Sequence, residues 1–202
     1  DFEARVGKSI AQEYWALSER TVHHLRTIIE DNNIKCDLKD GILFTAMTAQ
    51  EGDGISEGAL RWQEKYQLDY MEIIDGKDLS QQLGTDIYHC GVLNHSPPTL
   101  PPLRYTLGIA RLAISEGVKI FENTSALGYD DTGKQVIIRS DGGGEIKAGK
   151  LLLATNAYLG KLEPKLAGRF LPCYSAAAAT EKLTDEQLQQ IMKTDCGVLE
   201  LG

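Results

Sequence analysis

The sequence predicts a mixed fold, part α/β and part α+β. Three observations predict it. Stretches with apolar residues at three- and four-residue steps alternate with short apolar runs. Residues 103–121 read helix, then Gly117, then strand, which is half of a βαβ crossover. The run Leu151-Leu152-Leu153-Ala154 follows Lys147 and Lys150 and gives way to small residues, which suits a strand buried on both faces of a parallel sheet.

Residues 7–32 read as a long amphipathic helix, with Ile10, Tyr14, Leu17, Leu25, Ile28 and Ile29 on one stripe and Asn32-Asn33 as its stop. Residues 36–49 are strand-like, and Lys39-Asp40-Gly41 breaks them into a hairpin about Ile42-Leu43-Phe44. Residues 56–68 predict a helix with Ser56 as N-cap, leaving Glu51, Asp53 and Glu57 as a solvated run without metal-ligand spacing. A strand over 70–74, a helix over 77–83 ended by Gly84, and a strand over 87–93 follow. Residues 96–102 hold four prolines and read as a rigid connector, because proline donates no ladder hydrogen bond. A helix over 103–116 and a strand over 118–121 come next. Short strands at 126–129, 136–139 and 145–148, joined by Asp-Thr-Gly and Gly-Gly-Gly turns, predict an antiparallel meander. After the buried strand at 151–154, residues 171–180 predict a further strand, and 184–193 an exposed helix capped by Thr184.

A length of 202 residues bounds the chain to one large domain or two small ones. The net charge of -8, without any Lys/Arg stripe, argues against a nucleic-acid partner. No apolar run approaches the ~20 residues that span a bilayer, so no membrane partner is expected. Asp1 to Arg5 lack the basic start and apolar core of a signal peptide, and the opening inside a helical pattern predicts a piece of a longer protein. Four cysteines stand far apart with no C-x-x-C pair, which predicts reduced thiols in a cytoplasmic protein and no metal site.

Open α/β sheets bind ligands beyond the carboxyl ends of their strands, so Ala154, Thr155 and Asn156 are candidates for close backbone approach to a nucleotide cofactor. The phosphate-gripping G-x-G-x-x-G is absent, and Gly142-Gly143-Gly144 reads as a hairpin turn because it opens no helix. His89 and His95 are the residue type for proton transfer near neutral pH, though histidine at a strand end is more commonly a hydrogen-bonded surface residue. His23 and His24 point apart on their helix. Arg104 offers a fork for a carboxylate, against solvent exposure as the commoner fate. Trp15 and Trp62, both on helices, read as packing residues.

A helix ending in Glu116-Gly117-Val118-Lys119-Ile120-Phe121-Glu122, then a meander, then Lys150-Leu151-Leu152-Leu153-Ala154-Thr155-Asn156-Ala157-Tyr158-Leu159, resembles the FAD-dependent amine oxidases of the D-amino-acid oxidase superfamily. Within it the sequence looks most like the glycine/sarcosine oxidase-like branch that includes gamma-glutamylputrescine oxidase. Residues 34–38, 88–93, 100–105 and 180–183 fit the same pattern. The resemblance implies a partial glutathione-reductase-type FAD domain interleaved with a mixed-sheet substrate domain. Residues 1–35 would be a long helix of the FAD domain, 36–98 a substrate-domain segment, 99–162 an FAD-binding segment and 163–202 the start of a second substrate segment.

The resemblance also implies roles. Ala126 stands where the family usually has a valine whose backbone contacts adenine, and Ala154, Thr155 and Asn156 match the turn beside FAD. Tyr88, His89 and Arg104 fall on the substrate side. Pro101 departs from the pattern, since relatives often carry histidine there, and a titratable group is lost. The implied reaction is oxidation of a C–N bond of a primary or secondary amine or amino acid, with molecular oxygen as acceptor and imine and hydrogen peroxide as products. A flavin dehydrogenase and a non-catalytic α+β binding or assembly module are the alternatives. As the middle of such an oxidase, residues 1–202 alone are expected to be inactive, to release FAD, and to self-associate through unpaired apolar segments.

Overall fold

In the computed structural model, which describes residues 2–171 and 173–201, the predicted stripe forms α2 (Lys8–Asp31). A short α1 (Phe2–Val6) precedes it, and Gly7 makes the break with a φ of 84° that favours glycine. Of the described residues, those from 2 to 117 and from 181 to 201 cluster as one unit and those between 118 and 180 as another.

The first unit is built on a mixed four-stranded sheet of order β2-β3-β1-β7, comprising β1 (Lys39–Ala46), β2 (Met71–Asp75), β3 (Cys90–Thr99) and β7 (Gly197–Glu200). The hairpin expected within 36–49 does not form. β1 is one strand, antiparallel to β3 and parallel to β7, and Gly41 (φ 90°) sits where its register with β3 slips between Asp40 and Ile42. The expected connector at 96–102 is also corrected, because β3 runs through Pro97 and Pro98. On its β2 side the last backbone bond is the His95 N–H donating to the Tyr70 carbonyl at 2.9 Å, so beyond that point only the β1 side is paired and proline is tolerated.

Helix α3 (Ala49–Tyr66) begins well before Ser56. Its cap is Thr48, whose hydroxyl accepts from the Glu51 N–H at 3.3 Å while the Glu51 carboxylate accepts from the Thr48 N–H at 3.0 Å. Glu51 is thus a capping residue rather than part of a loop. Gly52 lies inside the helix because a Cβ there would stand 2.7 Å from the Cys90 sulfur. Helices α4 (Gly76–Leu83), capped by Asp75 and closed by Gly84, and α5 (Pro102–Ser115), with proline in its first turn, match expectation.

Strand alternation sends side chains to both sheet faces. Leu43 and Ile74 meet Leu79 and Leu83 of α4 and Cys196 on one face. Val92 and Met71 meet Ala59 of α3 on the other, flanked by Trp15 and Ile55. A third cluster joins Ile29, Ile34 and Cys36, with Tyr105 and Ile109 of α5 against it. Helix α7 (Asp185–Ile191) carries the predicted Thr184 cap, and Lys193 N–H donates to the Gln82 carbonyl at 2.8 Å on the way to β7.

The second unit contains the predicted meander, β4 (Ala126–Asp131), β5 (Val136–Ser140) and β6 (Glu145–Ala148), in sequential antiparallel order. A 3-10 helix (Asn156–Leu159) and α6 (Pro164–Ala167) follow. Two expectations fail here. Residues 118–121 and 151–154 form no strand, with Phe121 62% and Leu152 86% exposed. A strand is defined by bonds to a neighbour, and no described residue offers these segments one. The strand expected at 171–180 is likewise absent from its described residues, while Pro172 lies outside them. Among the described residues no helix is long and apolar enough to cross a membrane.

Candidate functional site

In the first unit, Tyr88 and His89 lead into β3 and are held by the backbone. The His89 N–H donates to the Ala46 carbonyl at 2.8 Å. Gly76 opens α4 beneath them, where a Cβ would stand 2.6 Å from the His89 carbonyl oxygen, so the helix can approach only with glycine there. The Tyr88 ring packs against the core around Leu43, and its hydroxyl donates to Glu200 at 3.4 Å. His89 is exposed beside Lys77, Ser80 and Asp86 in an open cavity of about 550 Å³.

Arg104 does not join that cavity. It lies in the first turn of α5 and forms an ion pair with Asp37, both side chains 59% exposed. Asp37 holds a left-handed backbone (φ 46°). His95 faces Glu72 at 3.5 Å. The structure therefore brings Tyr88 and His89 together and leaves Arg104 with a carboxylate from its own unit.

In the second unit, Ala126 starts β4 opposite Ser140 with its small side chain exposed. Residues 151–154 lead without regular structure into Thr155, which precedes the 3-10 helix, and the Tyr158 N–H closes the turn on the Thr155 carbonyl at 3.0 Å. Asn156 takes a left-handed φ of 49°, and Ala154 and Asn156 are exposed. This backbone, edged by small side chains, is open to close approach by a planar ligand. The phosphate cradle is another matter. No helix of the described residues follows a strand through a glycine-rich loop, since α3 is entered through Thr48 and α4 through Asp75. Among the described residues no element is built to grip a pyrophosphate.

One feature escaped the sequence reading. The Tyr129 hydroxyl donates to Glu163 at 2.5 Å, beside a cavity of about 500 Å³ lined by Tyr129, Lys134, Lys150 and Leu153. The shared bond raises the Tyr129 pKa, and the Tyr129 bond first, then the Lys165 N–H, lowers that of Glu163. Tyr129 and Glu163 are far apart in sequence, and no local pattern links them.

Comparison with known proteins gives a consistent result. The FAD dependent oxidoreductase family matches residues 4–199. "Probable oxidoreductase OrdL" of Haemophilus influenzae is 28% identical over 99% of this chain and 47% of its own length. Gamma-glutamylputrescine oxidoreductase of Escherichia coli is 28% identical over 83% of this chain and 39% of its own. The chain thus spans less than half the length of these curated relatives. Glycine oxidase from Geobacillus kaustophilus shares the fold at a TM-score of 0.62 and 16% identity, covering 75% of this chain and 41% of that one. L-amino acid deaminase from Proteus vulgaris shares it at 0.61 and 17%, covering 76% and 42%. Matched almost from end to end, this chain belongs to the FAD dependent oxidoreductase family.

Proposed function

We propose that the chain is the middle part of an FAD-dependent oxidase acting on the C–N bond of a primary or secondary amine or amino acid, with dioxygen as acceptor and imine and hydrogen peroxide as products. The family match over 4–199 carries this reading. Gamma-glutamylputrescine oxidoreductase among the relatives supports an amine, and glycine oxidase among the fold neighbours is compatible with an amino acid. FAD, when bound, supplies acceptance of a hydride equivalent from the C–H beside nitrogen.

The chain's own residues orient and enclose. The Ala126 backbone, toward adenine, and the turn Ala154-Thr155-Asn156 would hold FAD when it is bound. Tyr88 and His89 border the substrate, whereas Arg104, paired with Asp37 outside their cavity, takes no part there. Residues 1–35 and 99–162 belong to the FAD domain in this reading, and 36–98 and 163–202 to the substrate domain. We infer a cytoplasmic location from the four free cysteines.

The test is peroxide release by the gene's full-length product on a panel of amines and amino acids, with anaerobic reduction followed by an oxygen pulse. Fast reoxidation is expected. Reduction without reoxidation makes the protein a dehydrogenase, and an absence of flavin reduction by any amine overturns the reading. The 202-residue chain alone is expected to purify colourless, and a yellow preparation contradicts its expected loss of FAD.

A further inference from the structure

Both tryptophans of the chain and three further rings line one cavity of about 580 Å³ in the first unit. Two helices build it. On α2, Tyr14 and Trp15 stand one turn beyond Ala11. On α3, Trp62 and Tyr66 are four residues apart and so share a face. The Trp15 ring stacks on Tyr66 at 5.0 Å with 5° between planes and meets Trp62 edge-on at 5.8 Å. Phe2 closes against Tyr14 at 5.2 Å.

The volume lies within the 300–1,000 Å³ usual for small-molecule sites. The cavity is open rather than filled from within. Trp62 is 48% exposed and Tyr14 62% exposed. A Cβ built on Gly58, which lines the wall, meets nothing within 4 Å. Glycine in a helix interior is disfavoured against alanine, so its presence there preserves space at some cost in stability.

Charge selects the ligand. In a chain of net charge -8, this cavity is lined by two cations, Arg61 and Lys65, and by one carboxylate, Glu3. Glu3 is engaged by Lys65 and accepts from the Tyr66 hydroxyl at 3.3 Å. Arg61 forms no ion pair or side-chain hydrogen bond among the described residues. Five rings without a cation would read as an aromatic cage for a quaternary ammonium. Two cations at its wall reverse that preference.

We propose that this cavity binds a small planar aromatic carboxylate, its ring among Tyr14, Trp62 and Phe2 and its carboxylate on the Arg61 guanidinium. A bidentate guanidinium–carboxylate pair fixes the orientation, and the rings supply the contact area. The inference stands apart from flavin chemistry, and its readout needs no cofactor.

The two tryptophans make the site self-reporting. We suggest titrating the 202-residue chain with 4-nitrobenzoate, a quencher of indole fluorescence, in parallel with neutral 4-nitrobenzamide and cationic 4-nitrobenzyltrimethylammonium. Saturable quenching by the carboxylate is expected, at least tenfold tighter than by the other two. Arg61→Gln should weaken it about tenfold or more, while Arg61→Lys keeps part of the affinity. Gly58→Leu should abolish it by filling the wall, and circular dichroism reports that each variant stays folded. Equal or tighter binding of the quaternary ammonium, linear quenching by all three probes, or an unchanged affinity in folded Arg61→Gln overturns the proposal.

Discussion

Leu43 and Leu152 are leucines in similar apolar runs, yet Leu43 is fully buried and Leu152 is 86% exposed. The difference lies in their neighbours. Leu43 sits mid-strand in β1, between β3 and β7, with Leu79 and Leu83 of α4 over its face. Residues 151–154 form no strand and bond to none, and Leu152 is left in solvent. A short apolar run encodes extended backbone and a wish for burial; what satisfies it must come from other segments. The contrast extends to residues 118–121, where Val118 and Ile120 are about half exposed. Both segments carry the sequence pattern of parallel-sheet strands, the kind that require neighbours distant in sequence.

The comparison can be broken most directly by truncation at both sites. Leu43→Ala should cost about 2–5 kcal/mol through lost contacts and a cavity. Leu152→Ala should stay within about 0.5 kcal/mol, as exposed substitutions do. Urea midpoints of the two variants decide it. A large loss for Leu152→Ala means that residues 151–154 are covered in solution.

Exposed apolar segments of this kind also predict self-association. Sedimentation velocity over a concentration series should show it. The double variant Phe121→Lys with Leu152→Lys should then need a concentration higher by about a hundredfold or more to associate, given about 1.5–3 kcal/mol for each large apolar side chain buried. A parent chain monomeric at every concentration removes the point of the comparison.

Legibility in the sequence followed the range of the forces involved. Helices α2, α4 and α5 were readable because periodicity, Gly84 and Pro102 are local signals. The start of α3 was hidden by Gly52 and Gly54, which lower helix propensity, although Thr48 and Glu51 spell a capping box. β7 was missed because four residues gain strand character only beside β1. Part of the site was legible for the same reason. Tyr88 and His89 are adjacent in the chain and stay adjacent in space, whereas the Trp15–Trp62–Tyr66 cluster depends on how two helices face each other.

The smallest effect tests whether the well-packed unit also has soft points. The Glu51 carboxyl is held below the usual carboxylate range by the Thr48 backbone N–H first and the Thr48 side chain next, with the Met47 N–H adding to them. The sign follows from linkage. A carboxyl with a lowered folded pKa contributes stability that is present above its unfolded value and is lost as pH falls through the folded value. Removing the partner hydroxyl, Thr48→Ala, should cost about 1 kcal/mol at neutral pH. In Glu51→Gln the amide oxygen can still accept from the Thr48 N–H, but it does not titrate. The acid-induced loss of stability should therefore be shallower in Glu51→Gln than in the parent chain, by an amount that urea midpoints taken from neutral pH down through the acid range can resolve. If the two profiles superimpose, the α3 cap is not what links the first unit's stability to pH.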